Sequence, residues 1–228
     1  MTIETPLTRR SLIGGTALLG LLALPGCATG IGSLSLVDAI RRLLTISSQR
    51  AFARLMEPNG FYDSQIARIA VPTDIGGSGL GNVLARVLTS TLVRDRLHRQ
   101  VNRAAEVGAR RAAPMVIDAI RGIQIADALG IIRGGPHAAT DVLEQAMGDA
   151  LFNALVPGVG EGLRMFDNEI VSEVLRQATG INFAGLADDV SRKASRAIYD
   201  SIGAEEAAIR ANPSSANDPL LMSVLGVL

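Results

Sequence analysis

From Leu34 onward, Leu36, Val37, Ile40, Leu43, Leu44, Ala51, Phe52 and Leu55 recur at three- and four-residue spacing. That spacing gathers them on one face of a helix, and it predicts a first helix over 34–56 ended by the turn Pro58-Asn59-Gly60. The same period returns along the chain. Aromatic residues make up 3% of it and tryptophan is absent, so the core must be built from leucine, isoleucine, valine and alanine. Such a core suits close-packed helices better than a sheet.

Further helices are predicted over 80–91, 92–112, 114–123, 125–132, 140–155, 160–177 and 186–210. Pro114 should stop one helix and open the next, Gly134-Gly135 should close another, and Pro157-Gly158 and Pro213 should interrupt or end theirs. "GFYDSQIARIAVP" reads as extended or irregular, and "TDIGGSGLGN" as a glycine-rich loop. No fixed-period repeat and no long linker divides the chain. The expectation is an all-α fold, a single globular domain of seven to nine helices over 34–228.

The first 26 residues carry a different signal. Arg9 and Arg10 are the only basic residues before a charge-free run of 13 residues, 12–24, which ends at Pro25-Gly26 and Cys27. That order is the order of an export signal. The run is too short for a comfortable bilayer span of about 20 residues. Leu24-Pro25-Gly26-Cys27 resembles the bacterial lipoprotein box, in which the cysteine becomes the lipidated first residue. The resemblance implies a signal peptide over 1–26 and a lipidated cysteine with a small-residue tether over 27–33. Ala28 resembles the residue that follows the cysteine in lipoproteins sent to the outer membrane. Thr8-Arg9-Arg10 with Leu12 also resembles a twin-arginine signal, which leaves two export routes open.

Cys27 is the sole cysteine, so no intramolecular disulfide is available and aliphatic packing must stabilise the domain. Without residues 1–26 the chain has a net charge of −1, which gives no single-sign field for nucleic acid. The signs are nonetheless segregated. Residues 28–116 carry 12 arginines against 6 acids, and residues 117–228 carry 8 basic against 15 acidic side chains. The two halves are expected to pack against each other, or a basic surface to face phosphate-rich partners.

Several stretches occur in one order: "PNGFYDSQIARIAVP", "NRAAEVGARRAAP", "DAIRGIQIADALGIIRGGPHAAT" and "AEEAAIRANP". In them the chain resembles the bacterial envelope family called domain of unknown function 4197, from about Leu34 to Leu225. The resemblance implies an all-helical, exported or lipidated protein. It supplies no catalytic residue, because that family has no established activity. Pro136 stands where members commonly carry aspartate, and 159–180 follows the pattern loosely.

"HRQVNRAAE" is the most polar piece of an aliphatic region. On a helix His98, Asn102 and Glu106 form one ridge, with Arg103 and Glu106 one turn apart. Asn102, Arg103, Glu106 and Asp118 are the candidate lining of a polar pocket between helices. The alternative is a hydrogen-bonded network that fixes how the helix meets its neighbours. "RGGPHAATD" could receive an anion at a helix start, beside Arg133, or act as a cap-and-restart turn near Thr140. Asp118 and Asp127 could act as paired carboxylates, although the helix dipole explains a carboxylate in a first turn more simply, and Asp127 fits that account.

No metal site is expected, because His98 and His137 are the only histidines and His98 lies roughly 12 Å along a helix from Glu106. No G-x-S-x-G elbow is present, no cofactor is implied, and no catalytic residue is assigned. The sequence therefore favours a non-catalytic binding or structural module, lipid-anchored at the periplasmic face of the outer membrane. Its partners would be the membrane, through the anchor, and an envelope protein. The alternatives are a periplasmic hydrolase-like enzyme using Glu106, Asp118 and Arg103, or a carrier of an apolar ligand between helices. The apolar tail 220–228 could pack on its own domain, on a partner or on the bilayer.

Overall fold

The computed structural model describes residues 33–70, 91–165 and 183–226. Cys27, the glycine-rich loop and most of the helices predicted over 80–91 and 160–177 lie outside the described residues. One compact unit spans Ser33–Leu228. The all-α expectation holds, with eight α-helices and no strand among the described residues.

Helix α1 (Ser33–Leu55) is followed by the single turn α2 (Gly60–Asp63) and the long α3 (Thr91–Gly122). Then come α4 (Ala128–Arg133), α5 (Ala138–Met147), α6 (Ala150–Met165) and α7 (Phe183–Ala211). A 3-10 turn (Pro213–Ala216) leads into α8 (Pro219–Leu225). The apolar stripe of α1 buries Ile40, Leu43 and Leu44 completely, and α7, which packs against it, buries Ile198, Ile202 and Ile209.

Among the described residues, the most extensive helix pair is α3 with α6. Small residues let the two backbones approach. A Cβ at Gly158 would lie 2.8 Å from the Gly108 Cα, and one at Gly162 would lie 2.7 Å from the Ala104 Cα. Only glycine leaves that space, so the crossing is set by the absence of side chains.

Two predicted breaks do not occur. Pro114 lies inside α3 and Pro157 inside α6. An internal proline removes one helical hydrogen bond and costs ~3 kcal/mol. Around Pro114 the same helix face fully buries Ala112, Val116 and Ile120, and around Pro157 it buries Leu155 and Val159. Each large aliphatic side chain contributes roughly 1.5–3 kcal/mol on burial, so continuing the helix outweighs the missing bond. The break comes earlier than predicted, at Gly148, whose φ of 49° ends α5.

The C-terminal apolar stretch packs on its own domain. The Asp218 carboxylate accepts from the backbone N–H groups of Leu220 (2.9 Å) and Leu221 (3.0 Å), capping α8. It also pairs with Arg42 of α1 at 2.8 Å. Leu221 and Leu225 are buried, whereas Met222 remains exposed.

Candidate functional site

The turn after α1 begins the polar region of the molecule. Asn59 takes the left-handed conformation, with φ 64°. Gly60 follows because a Cβ there would overlap the Arg54 carbonyl oxygen. The turn therefore lies tight against the end of α1 and passes into α2, which packs on α3.

Beneath it lies Glu106, only 4% exposed, with its Oε1 atom lacking a hydrogen-bond partner. Burial raises the Glu106 carboxyl above its ordinary value. The charges of Arg110 and Arg103 and a hydrogen bond from the Asn59 backbone oppose that rise, and the Asp63 carboxylate adds to it. Arg110 also donates to the Met56 carbonyl at 2.7 Å, which ties α3 to the end of α1.

One turn earlier on α3, Asn102 is fully buried and committed to the backbone. Its Oδ1 accepts from the Ile69 N–H at 2.8 Å, and its Nδ2 donates to the Ile69 carbonyl at 3.0 Å. Nδ2 also donates to the His98 carbonyl at 2.7 Å. The side chain thus imitates a strand edge and clasps the irregular segment 64–70 to the helix. Near the same segment, Arg68 and Arg99 stack on the Tyr62 ring, 4.6 and 4.4 Å from its centroid. The Tyr62 hydroxyl donates to Asp95. That bond and Arg99 hold the Asp95 carboxyl below its usual range.

The four residues grouped from the sequence are therefore divided. Asn102, Arg103 and Glu106 share one stretch of α3, where Asn102 and Glu106 are buried and Arg103 is exposed. Asp118 lies twelve residues further on, roughly 18 Å along the axis. It is exposed and bonded to Arg121 at 2.8 Å. Because α3 passes through Pro114, Asp118 lies near the C-terminal end of a long helix and not in a first turn. Asp127 caps α4, accepting from the Gly130 N–H at 2.8 Å, so the two aspartates do not form a pair.

The start of α5 does receive an anion, and the chain supplies it. Glu206 of α7, fully buried, accepts from the N–H groups of Ala139 (3.0 Å) and Thr140 (2.7 Å) and from the Thr140 hydroxyl (2.6 Å). Arg210 pairs with Glu206 at 2.8 Å and donates to the carbonyls of Ile132 (2.9 Å) and Ile131 (3.0 Å). Sequence reasoning assigned this pair no role. Its trace was the i, i+4 spacing in "EEAAIR".

Also unforeseen is a cleft of about 320 Å³ where the end of α1, the 57–66 segment and residues 201–205 of α7 meet. Among the charged groups that line it are Arg54 and Glu205, which form an ion pair. Among the described residues, no three His, Cys, Asp or Glu side chains converge closely enough to hold a metal ion.

The profile of the protein family of unknown function DUF4197 matches residues 30–226, nearly the whole of this domain. The chain belongs to that family. The family match takes in the Pro58-Asn59-Gly60 turn, the Asn102 clasp and the Glu206–Arg210 pair. No curated protein matches the chain. No solved structure matches it.

Proposed function

We propose that this family member is an exported envelope protein, anchored through lipid on Cys27 at the periplasmic face of the outer membrane. There it serves as a non-catalytic binding or structural module. The observation that carries the reading is the tetrapeptide Leu24-Pro25-Gly26-Cys27 after an uncharged 13-residue run. The family match begins at residue 30 and the compact unit at Ser33, so the thiol falls just ahead of the folded domain. Each buried methylene of an acyl chain adds about 0.8 kcal/mol of membrane affinity, and two or three chains make attachment lasting. Among the described residues, no helix is long and apolar enough to cross a membrane.

The non-catalytic part of the reading is supported by how the polar side chains are used. Asn102 and Glu206 direct their hydrogen bonds to backbone groups that would otherwise be buried without partners. A hydrolase built on Glu106 and Asp118 is disfavoured by their separation along α3. An envelope partner remains the expected ligand of the tethered domain.

Labelling cells with palmitate and separating inner from outer membranes tests the anchor. The wild-type chain should carry label and follow the outer membrane, and Cys27→Ser should lose both properties. A Cys27→Ser chain that stays on the outer membrane would overturn the proposal.

A further inference from the structure

The solvent side of α3 carries a ridge of arginines. At 3.6 residues per turn, Arg96, Arg99, Arg103, Arg110 and Arg121 fall within about 60° of one another around the helix axis. All five are exposed, and the ridge runs roughly 37 Å. The residues that α3 buries, among them Val101, Ala105, Ala112 and Val116, lie on its opposite side.

Little on this face offsets the charge. Asp95 and Asp118 are the exposed carboxylates among the described residues of α3, and they pair with Arg99 and Arg121 at 3.0 and 2.8 Å. Exposed pairs of this kind are weak in water and leave the positive surplus of the ridge in place. Beside it, Arg68 stacks with Arg99 on the Tyr62 ring and balances the nearby Asp63 carboxylate. The exposed acids Asp141, Glu144 and Asp200 stand instead on α5 and α7.

One end of the ridge also lies near the start of the domain. Arg41, eight residues into α1, donates to the Ile123 carbonyl at 3.3 Å, two residues past Arg121. The six Cα steps from Cys27 to Ser33 span at most roughly 20 Å. A domain anchored at Cys27 would therefore keep this end of α3 close to the headgroups.

We propose that the arginine ridge of α3 is a docking face for anionic phospholipid headgroups and lies along the leaflet that holds the anchor. The orientation rests on the anchor put forward above, whereas the affinity for anionic lipid does not. A long row of exposed guanidiniums matches a plane of phosphates. A small anion would need groups that converge on one point, and these are spread along a helix. Attraction of each arginine to a charged surface fades within a Debye length of about 10 Å, so a short tether makes it effective.

Vesicle flotation tests the face with the purified full chain bearing Cys27→Ser, which can carry no acyl group. The probes are vesicles of phosphatidylcholine alone, and of phosphatidylcholine with phosphatidylglycerol at three to one. Residues 1–26 are present in every variant, so their contribution cancels. Binding should be tighter to the charged vesicles and should weaken as salt rises. Arg96→Gln together with Arg121→Gln should weaken it about tenfold or more. Both positions are exposed, so the melting temperature should hold. Arg196→Gln, on the exposed α7 side that carries Asp200, should bind like the parent chain. The proposal fails if the double variant binds the charged vesicles as the parent does, or if the parent binds them no better than neutral ones. It fails too if poly-glutamate binds with equal affinity and the same loss in the double variant, which would assign the face to an acidic polypeptide. Failure of the anchor reading would instead appear as absent palmitate label with these vesicle results unchanged.

Discussion

Glu206 and Arg210, one turn apart on α7, join the ends of two other helices. The carboxylate caps the start of α5, the guanidinium caps the end of α4, and the two bond to each other at 2.8 Å. Removing one partner of a buried pair leaves an uncompensated charge and costs about 3–5 kcal/mol. Arg210→Met should therefore lower stability by that amount, measured by urea unfolding. Glu206→Gln should cost less, because its amide oxygen can still accept from Thr140. Should Arg210→Met unfold at the wild-type urea concentration, the pair does not hold these helices.

The Asn102 clasp is a local device with a local readout. Asn102→Leu leaves the Ile69 N–H and carbonyl buried without partners, at about 1–3 kcal/mol for each such group. The expected outcome is lower stability together with faster hydrogen exchange at the Ile69 amide. If exchange at Ile69 keeps its wild-type rate, the side chain does not secure the segment.

Glu106 gives a pH dependence whose sign follows from its raised carboxyl. The folded state holds the Glu106 proton more tightly than the unfolded chain, whose group titrates near the ordinary value of 4.5. Stability is therefore greatest below that value and is lost as pH rises through the higher folded value. Glu106→Gln removes this loss while keeping an acceptor for the Asn59 N–H. Its melting temperature should exceed that of the wild type at pH 7, and the gap should close toward pH 4. Parallel melting curves across that range would show that Glu106 is not the titrating group.

The α3–α6 crossing makes a prediction about one methyl group. In an open helix, Gly→Ala stabilises by ~1 kcal/mol. At Gly162 the new Cβ would meet the Ala104 backbone at 2.7 Å, which no side-chain rotation relieves. Overpacking of this kind costs about 1–3 kcal/mol, so Gly162→Ala should lower the melting temperature. Gly122→Ala, where nothing lies within 4 Å, is the control and should not.

By itself the sequence determined the helices and many of their ends. Apolar spacing marked α1 and α7, Pro58-Asn59-Gly60 marked the first turn, and Asp127 marked the start of α4, read as a first-turn carboxylate where the structure makes it the cap. These signals act over three or four residues, so they can be read without knowing the fold. Only the tertiary structure decided that Pro114 and Pro157 would be carried through, because the gain lies in what the flanking residues bury against other helices. It also decided the roles of the polar residues. Asn102 meets a partner 33 positions away, Glu206 one 66 away and Arg210 one 79 away. Such distances are set by how helices pack, and no local pattern encodes them. The cleft between α1 and α7 arises in the same way, from three segments that only folding brings together.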